Sequence, residues 1–599
     1  MTAKAISAEP GVVAAPVEKK SFNSDFPQLL IGIGLIALTG LGPTLLGNSY
    51  WEHTFQLVNV YIAVAVFQNF LFVDAGQKSF GQGAILGLGA YGFAVAVGLN
   101  GVPLIIGLLV GIAAATAGGL LFALPALRVQ GFHLGFVTMS AGIVFPQLLV
   151  QFDTITRGIN GISVQVPGIH EPVLFSFSTM TLIVTAFPIL ALVSHYMLRT
   201  SPLGRRMRIA AESPEAARSL GIRPGNMRSL AFIIASIGTG ISGVLYVPVV
   251  GFISPQGFLI ELSFVFFFAV VVGGRGQLLG PIIGIWIVHV LPTIILVQLI
   301  DYRLLIYGLL TLFVVIVFPD GVVGSFEAWR RKRSQVGGGE RGFRLDRFTD
   351  TIKSMAAARP ATGAPIIEVA RATKKFGQVV ALDGVDMAVR AGEIHGLVGA
   401  NGSGKTSLLN VLSGFSRLNS GSYSFKGRDV TTVSADRIAR LGLGRTFQTP
   451  RIFQSLSVWN NIRVGLDARE TPLDPEFQRL ADSLERDFAD DSPALLSHGQ
   501  RRLVEVVRVV FKESSIVLFD EPAAGLSPQE RVEFADLVRL LSRTLGKAVI
   551  LVEHDLDLVW GLADRITVLE TGRVVASGEP AVLAKDPAVQ HLFVGGHLA

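Results

Sequence analysis

Apolar stretches of bilayer-spanning length follow one another through the first half of this chain, between Phe26 and Phe318. A helix needs roughly 20 apolar residues to cross a bilayer, and by that criterion we count about ten spans. This succession predicts an all-α, polytopic membrane domain. The expected spans lie near residues 26–47, 54–74, 79–97, 103–126, 132–151, 179–198, 230–250, 258–275, 278–299 and 302–319.

The composition of the whole chain is an average over two different halves. Only 16% of the residues are charged and mean hydropathy is +0.53, but residues from Ile366 onward have the composition of a soluble α/β protein. The net charge of +6 would suit nucleic acid, yet much of the basic excess borders apolar segments. Cytoplasmic membrane loops have this pattern, so we expect lipid and no nucleic acid as a partner.

Two basic clusters orient the expected spans. The second occupies residues 330–333, and the first contains Arg199, Arg205, Arg206, Arg208, Arg218, Arg223 and Arg228. Because Lys and Arg collect on the cytoplasmic side, both clusters and the N-terminus are expected there. The glycine-rich stretch 76–92 predicts close helix–helix packing through small side chains. Zero cysteines exclude disulfides and thiol-ligated metals.

A phosphate-binding loop occupies residues 399–406, which fit the pattern G-x-x-x-x-G-K-[ST]. Its glycines permit a tight turn that exposes backbone N–H groups to an anion. Lys405 would add a positive charge on the outer phosphates, and the Thr406 hydroxyl can hold Mg²⁺. A strand-like run precedes the loop and a helix-like run follows it, which places the anion at a helix N-terminus. We predict an ATP site that uses Gly399, Asn401, Gly402, Ser403, Gly404, Lys405, Thr406 and Ser407.

Further motifs follow the loop in a fixed order. Residues 515–519 form an apolar run that ends in two acids, of which Asp520 would help to hold Mg²⁺ and Glu521 would polarise the attacking water. Before this run stand Arg-Thr-Phe-Gln-Thr-Pro at 445–450 and Leu-Ser-His-Gly-Gln at 496–500. After it stands Val-Ile-Leu-Val-Glu-His-Asp at 549–555.

In this order the motifs resemble those of ABC ATPases, over residues 366–599. The resemblance implies an α/β P-loop ABC ATPase domain in which Phe376 stacks on adenine and Gln448 contacts Mg²⁺ or the attacking water. It implies that His554 reaches the γ-phosphate. The stretch at 496–500 resembles the signature LSGGQ, with His498 in place of the first glycine. Ser497 and Gly499 would therefore complete the ATP site of an opposing ATPase domain.

The membrane half resembles the permeases of branched-chain amino acid importers. The loop 210–221 is similar to the coupling motif of ABC importer permeases, and the finer resemblance rests on residues 76–81, 157–162, 273–284 and 318–324. The resemblance implies ATP-driven and Mg²⁺-dependent import of branched-chain or related amino acids across the cytoplasmic (inner) membrane. The expected partners are a second permease, a second ATP-binding subunit, and a periplasmic or lipid-anchored solute-binding protein.

We expect four segments along the chain. These are a disordered N-terminus with no cleavable signal, a permease domain, a flexible linker and the ATP-binding domain, at residues 1–25, 26–324, 325–364 and 365–599. A linker of this length spans roughly 35 Å, so the ATPase could dock on its own membrane half or on a neighbour's.

Three other functions stay open from the sequence. An importer of urea, amides or aromatic acids would share the same motifs. An ABC exporter should have fewer spans, with long helical extensions into the cytosol. An ATPase-coupled membrane sensor would need a sensor or effector domain, for which the four segments leave no residues.

Overall fold

The structure is a computed structural model, and it describes residues 25–127, 131–174, 177–295, 302–334, 346–354, 365–469, 471–489, 491–587 and 589–590. The segment expected to be a disordered N-terminus lies outside the described residues as far as position 24. Asp25 is already the first residue of a helix.

The first half of the chain is a bundle of helices. The helices are α1 (Asp25–Leu45), α2 (Ser49–Asn69), α3 (Gln82–Ala94), α4 (Leu104–Ala126), α5 (Phe132–Gln151), α6 (Asp153–Thr156), α7 (Thr179–Thr200), α8 (Pro202–Glu212), α9 (Pro214–Ser219), α10 (Pro224–Val250), α11 (Ile260–Gly273), α12 (Gly280–Ile285), α13 (Arg303–Val317) and α14 (Gly321–Ser334). Short strands β1 (Ile162–Ser163), β2 (Pro172–Leu174), β3 (Phe177–Ser178) and β4 (Phe252–Ile253) lie in the loops, where β1 pairs with β4 and β2 with β3.

Eight helices in the described part of the chain are long and apolar enough to cross a membrane. They correspond to the first eight expected spans. The last two expected spans appear as shorter apolar helices, because α12 starts only at Gly280 and passes into a π-helical segment, Trp286–Ile295, that contains Pro292. Residues 296–301 of that region lie outside the described residues, and α13 has 15 residues.

The glycine-rich stretch of α3 packs closely against α10. A Cβ atom placed on Gly89 would lie 2.5 Å from the carbonyl oxygen of Gly240, and one on Gly243 would lie 2.2 Å from that of Leu86. Only helices without side chains at these positions can approach so closely. The packing interpretation of this stretch is therefore confirmed.

Buried ion pairs join the helices at the end of the bundle that faces the second half of the chain. Arg199 on α7 pairs with Asp25 on α1 at 3.0 Å, and His195 lies 2.7 Å from Asp74 at the end of α2. Charges in such surroundings persist only when they are paired. These pairs fix the start of α8, which follows α7 directly.

The second half of the chain is built on two sheets. The strands are β5 (Pro365–Phe376), β6 (Val379–Arg390), β7 (Ile394–Val398), β8 (Ser420–Phe425), β9 (Arg428–Asp429), β10 (Leu443–Arg445), β11 (Ile516–Asp520), β12 (Ala548–Val552), β13 (Arg565–Glu570) and β14 (Arg573–Gly578). The six-stranded sheet has the order β10-β11-β12-β7-β13-β14 and is parallel except for β14. The four-stranded antiparallel sheet has the order β6-β5-β8-β9.

Helices surround the six-stranded sheet, whose central strands are completely buried. They are α16 (Lys405–Leu412), α17 (Ala435–Arg440), α18 (Val458–Asp467), α19 (Pro475–Phe488), α20 (His498–Phe511), α21 (Pro528–Arg543), α22 (Leu556–Leu562) and α23 (Pro580–Leu583). A parallel sheet covered in this way places its loops, and hence its ligands, at the carboxyl ends of the strands.

One part of the stretch expected to be a flexible linker is a helix, α15 (Asp346–Ser354). Its Phe348 and Ile352 are buried, and the ring of Phe348 lies 5.4 Å from that of Phe511 at the end of α20. Apolar residues four positions apart share one helix face, so this short helix can pack on the second half of the chain.

Candidate functional site

The phosphate-binding loop connects β7 to α16. Gly399, Gly402 and Gly404 all have positive φ, at 153°, 83° and 105°. A Cβ atom on Gly404 would lie 2.5 Å from the carbonyl oxygen of Ala381, and one on Gly399 would lie 2.1 Å from that of Leu569. Conformation and space both exclude side chains here, so the backbone N–H groups are free to approach an anion.

Lys405 folds back over the loop. Its Nζ donates hydrogen bonds to the carbonyl oxygens of Gly399 at 2.6 Å and Ala400 at 2.9 Å. Burial lowers the pKa of Lys405, and the nearby Glu521 and Asp520 oppose that effect. The ammonium group therefore lies between the loop and the two acids.

The other loop side chains leave polar groups for a ligand. The Ser403 hydroxyl is buried, and it has no hydrogen-bond partner among the described residues. An unpaired buried hydroxyl costs about 1–3 kcal/mol, and a phosphate oxygen would remove that cost. Thr406 and Asn401 are exposed at the loop, and Ser407 is half-buried. The loop therefore fits a nucleotide phosphate.

Asp520 ends the buried strand β11. Its Oδ2 accepts a hydrogen bond from Arg445 Nη2 at 3.3 Å. Burial raises the pKa of Asp520, while the charge of Arg445 opposes the rise. None of the hydrogen bonds between described residues uses the other carboxylate oxygen of Asp520. Carboxylate, hydroxyl and amide oxygens are the ligands that Mg²⁺ prefers, so Asp520, Thr406 and Gln448 have the chemistry to hold that ion.

Two of the predicted catalytic residues, His554 and Gln448, lie within hydrogen-bond distance of the third, Glu521. Glu521 Oε1 lies 2.8 Å from His554 Nε2, and Glu521 Oε2 accepts a hydrogen bond from Gln448 Nε2 at 2.9 Å. They meet because they follow β10, β11 and β12, which are adjacent parallel strands. Glu521 has φ +50°, and this uncommon conformation for a residue with a Cβ is frequent at functional sites.

The signature residues lie at the start of α20. Ser497 caps this helix: its hydroxyl accepts a hydrogen bond from the Gln500 N–H, and its own N–H donates to the Gln500 side chain. A Cβ atom on Gly499 would lie 2.9 Å from a carboxylate oxygen of Glu530. In the described residues, no hydrogen bond joins Ser497 or Gly499 to the phosphate-binding loop.

Phe376 lies at the end of β5, with its ring 53% exposed. Lys374 Nζ is 4.7 Å from the centre of this ring. An exposed aromatic ring at a strand end is able to stack on a flat ligand. The residue is not part of the core, and Lys374 lies over one face of its ring.

The sequence analysis missed a buried group of charges that holds the loop after β10. Arg502 is completely buried, and its guanidinium donates to the carbonyl oxygens of Phe447 and Gln448. Glu505 is also completely buried, and burial raises its pKa. Charged residues at every third position of the otherwise apolar stretch 502–511 (Arg502, Glu505 and Arg508) are the signal that could have revealed the group.

The loop between Gln448 and Ser455 also contacts the membrane half of the chain. We use the term coupling segment for α8 and α9, residues 202–219. Glu212 of this segment accepts hydrogen bonds from the backbone N–H of Ser455 at 3.2 Å and from its hydroxyl at 2.7 Å. Arg451 pairs with Glu215 at 3.1 Å.

An apolar cluster completes this contact. Phe453 is completely buried among side chains of the coupling segment and of its C-terminal loop. The cluster consists of Ile209, Ala210, Ala216, Ala217, Leu220, Ile222, Phe453, Leu456 and Val464. The second half of the chain therefore docks on the membrane half of the same chain, which answers the question that the linker length left open.

Both halves of the chain match known protein families. Residues 52–315 match the family described as "Branched-chain amino acid transport system / permease component", and residues 382–524 match the family described as "ABC transporter".

Curated relatives cover the second half. The high-affinity branched-chain amino acid transport ATP-binding protein LivG of Salmonella typhimurium is 32% identical over 250 residues, which are 39% of this chain and 98% of LivG. BraF of Pseudomonas aeruginosa, which carries the same description, has the same identity and coverage. The methionine import ATP-binding protein MetN 2 of Yersinia pestis is 34% identical over 232 residues, which are 37% of this chain and 71% of MetN 2.

A helical bundle with membrane-spanning helices, docked on a nucleotide-binding α/β domain, defines the class of ATP-driven membrane transporters. The chain belongs to the ABC transporter family, and it joins a permease domain and an ATP-binding domain in one polypeptide. It is a multi-pass membrane protein whose ATP hydrolysis is coupled to transport and which works with other transporter subunits.

Proposed function

We propose that this chain is the fused permease and ATP-binding subunit of an importer for branched-chain or closely related amino acids. The observation that carries this proposal is the direct contact between the coupling segment and the loop that begins at Gln448 of the nucleotide site. The substrate class rests on the permease match over residues 52–315. The ATPase half does not distinguish between these substrates, because its relatives are named for branched-chain amino acid transport and for methionine import.

We place the permease at residues 26–324, the linker at 325–364 and the ATP-binding domain at 365–599, in the cytoplasmic (inner) membrane with the ATPase in the cytoplasm. The charge pattern supports this orientation. The arginine-rich α8 follows the span α7 and contacts the ATPase, and positive charge near span ends marks the cytoplasmic side.

Nucleotide and Mg²⁺ would share the site at the carboxyl ends of β7 and β11. The phosphate-binding loop would hold the phosphates, and Thr406, Gln448 and Asp520 would hold the metal. Bound Mg²⁺ would neutralise charge that develops on the transferred phosphoryl group. Phe376 would stack on the adenine ring, since its ring is exposed at the edge of the domain.

Glu521 is the proposed general base. It would take a proton from the attacking water, and His554 and Gln448 would hold the carboxylate in position from either side. His554 would also contact the γ-phosphate, since its side chain is half exposed next to the loop.

A second ATP-binding domain is needed to complete the site. Ser497 and Gly499 do not reach the phosphate-binding loop of their own chain, so we assign them to the nucleotide of a partner subunit. We also infer a second permease, because each ATP-binding domain docks on one coupling segment. A solute-binding protein and membrane lipid would be the remaining partners, and urea, amides or aromatic acids remain the alternative substrates.

The ATPase rate of the purified complex in lipid nanodiscs tests this function. Solute-binding proteins encoded with the transporter are added either empty or loaded with leucine, isoleucine, valine, urea or an aromatic amino acid. We expect stimulation by one protein loaded with a branched-chain amino acid. Stimulation by a hydrophobic compound in the absence of any binding protein would contradict import and favour export.

A further inference from the structure

A cavity of about 310 Å³ lies between the coupling segment and the ATP-binding domain. Its walls come from α8, the loop after α9 and the start of α10 on one side, and from α17, α18 and the residues after α18 on the other. Five arginines line it together with one acid: Arg205, Arg206, Arg223, Arg440, Arg469 and Asp467. Its volume is in the range that small ligands need.

Two carboxylates form ion pairs with three of these arginines in the described part of the chain. Asp467 forms two hydrogen bonds with Arg205, at 2.9 and 3.1 Å. Asp436 is shared by Arg223 at 2.6 Å and Arg440 at 2.8 Å. A third carboxylate, Glu513, binds the Thr471 hydroxyl at 2.7 Å next to Arg469, so two of the five positive charges are left over.

The remaining two arginines donate to backbone carbonyl groups, and Arg469 also donates to the Thr471 hydroxyl at 3.4 Å. Arg206 donates to the carbonyl oxygen of Asp467 at 2.9 Å, and Arg469 donates to that of Phe511 at 3.2 Å. Such bonds fix the two guanidinium groups without neutralising them. A site of this kind attracts an anion that can accept from several guanidinium groups at once, and phosphate is the group best suited to that geometry.

The start of α10 adds to the positive potential. This helix of 27 residues begins at Pro224, and its N-cap residue Arg223 provides no side-chain hydrogen bond to the first turn. The first-turn residue Asn226 lines the cavity. The unpaired N–H groups and the dipole of a long helix favour an anion at this end.

We propose that this cavity binds a phosphate-bearing anion, which comes either from a soluble phosphate compound or from an anionic phospholipid headgroup. Both walls contribute arginines, so the bound anion would hold the coupling segment against the ATP-binding domain. The site is separate from the phosphate-binding loop and needs no second copy of the chain.

Pyrophosphate serves as the probe, and isothermal titration calorimetry measures its binding to the full-length complex. The complex carries Lys405→Ala, which weakens binding at the phosphate-binding loop, and sits in nanodiscs of phosphatidylcholine. We expect saturable binding that Arg206→Gln combined with Arg469→Gln weakens about tenfold or more, because two charge-assisted contacts are lost. Arg479→Gln on α19, whose side chain is exposed and pairs with Glu476, is the matched control and should leave the affinity unchanged.

A second pair of variants protects the test against misfolding. Arg206→Lys combined with Arg469→Lys keeps both charges but loses the planar fork, so we expect a smaller loss of affinity at an unchanged melting temperature. The same titration in nanodiscs with phosphatidylglycerol distinguishes the two sources. A weakened apparent affinity there identifies the lipid headgroup as the occupant, and an unchanged affinity identifies a soluble compound.

No saturable pyrophosphate binding, or equal binding by the parent and by both arginine variants, would overturn the proposal. The titration measures binding in a protein without nucleotide turnover. Its failure would therefore leave the proposed transport function untouched, and failure of the transport assay would leave this site untouched.

Discussion

Replacement of Glu521 by glutamine should lower the rate of ATP hydrolysis without lowering the stability of the fold. The amide is isosteric with the carboxylate, so it can still accept a hydrogen bond from Gln448 and donate one to His554, which lie 2.9 and 2.8 Å away. Folding stability should change by less than about 1 kcal/mol, as expected for a surviving hydrogen bond. The amide cannot accept the proton of the attacking water, however. Loss of a general base typically costs about 10²–10⁴-fold in rate, equivalent to about 2.7–5.4 kcal/mol in the activation free energy.

The assay measures ATP affinity, melting temperature and hydrolysis rate for the same reconstituted complex. We expect Glu521→Gln to bind ATP as the parent does and to lose at least about 100-fold in turnover. Glu476→Gln is the matched control, because Glu476 is a half-exposed acid of α19 that pairs with Arg479 and lies outside the Glu521 cluster. Turnover of Glu521→Gln within threefold of the parent would refute the assignment of Glu521 as the base.

Three further predictions concern the loop, its support and the pH dependence. Gly404→Ala should abolish ATP binding in a calorimetric titration, because its Cβ would lie 2.5 Å from the Ala381 carbonyl oxygen at a φ of +105°; retained affinity would contradict the close packing of the loop. Arg502→Met should lower the free energy of unfolding by about 3–5 kcal/mol in urea denaturation, because it removes one of the two arginines paired with the buried Glu505 and leaves the carbonyl oxygens of Phe447 and Gln448 without their donors; a loss below 1 kcal/mol would contradict the pairing. Burial lowers the pKa of Lys512 to about 7, so the unfolded chain binds a proton between pH 7 and 10.5 that the folded chain lacks. Stability should therefore gain up to about 1.4 kcal/mol per pH unit over that window from this group, and urea midpoints of Lys512→Met should lack this increment.

Much of the nucleotide site could be predicted because its chemistry ties residue types to fixed places in the fold. The phosphate-binding loop needs glycines where φ is positive, and the structure has them at Gly399, Gly402 and Gly404. Glu521 and His554 each end a buried strand, and adjacent parallel strands bring their ends together. Short apolar runs followed by acids or a histidine therefore predict which residues meet at the ends of the strands.

The supports of the site were not predictable in the same way. Arg502 lies on the helix of the signature but holds the loop of Gln448, and only the tertiary packing brings these two segments together. Hydropathy also did not indicate the π-helical segment Trp286–Ile295 within the ninth expected span, because it counts apolar residues and not their hydrogen-bond pattern. The docking of the ATP-binding domain on its own permease was open for another reason: a linker of about 40 residues permits both arrangements if it is flexible, and the sequence did not predict α14 or α15 within it.

The loop that follows Gln448 is held at both ends, and this decides how movement can pass through it. Arg502 fixes the carbonyl oxygen of Gln448. Asn461 fixes Phe453, because it accepts from the Phe453 N–H at 2.8 Å and donates to the Phe453 carbonyl oxygen at 2.9 Å. Only four residues separate Gln448 at the nucleotide site from Phe453, which is buried in the apolar cluster with the coupling segment. Because both ends of the loop are held, we expect a shift of Gln448 to pass to the coupling segment as a movement of the loop as a whole. The linker between the domains only keeps the loop near the coupling segment. The movement itself would pass through side chains that pack between the two domains.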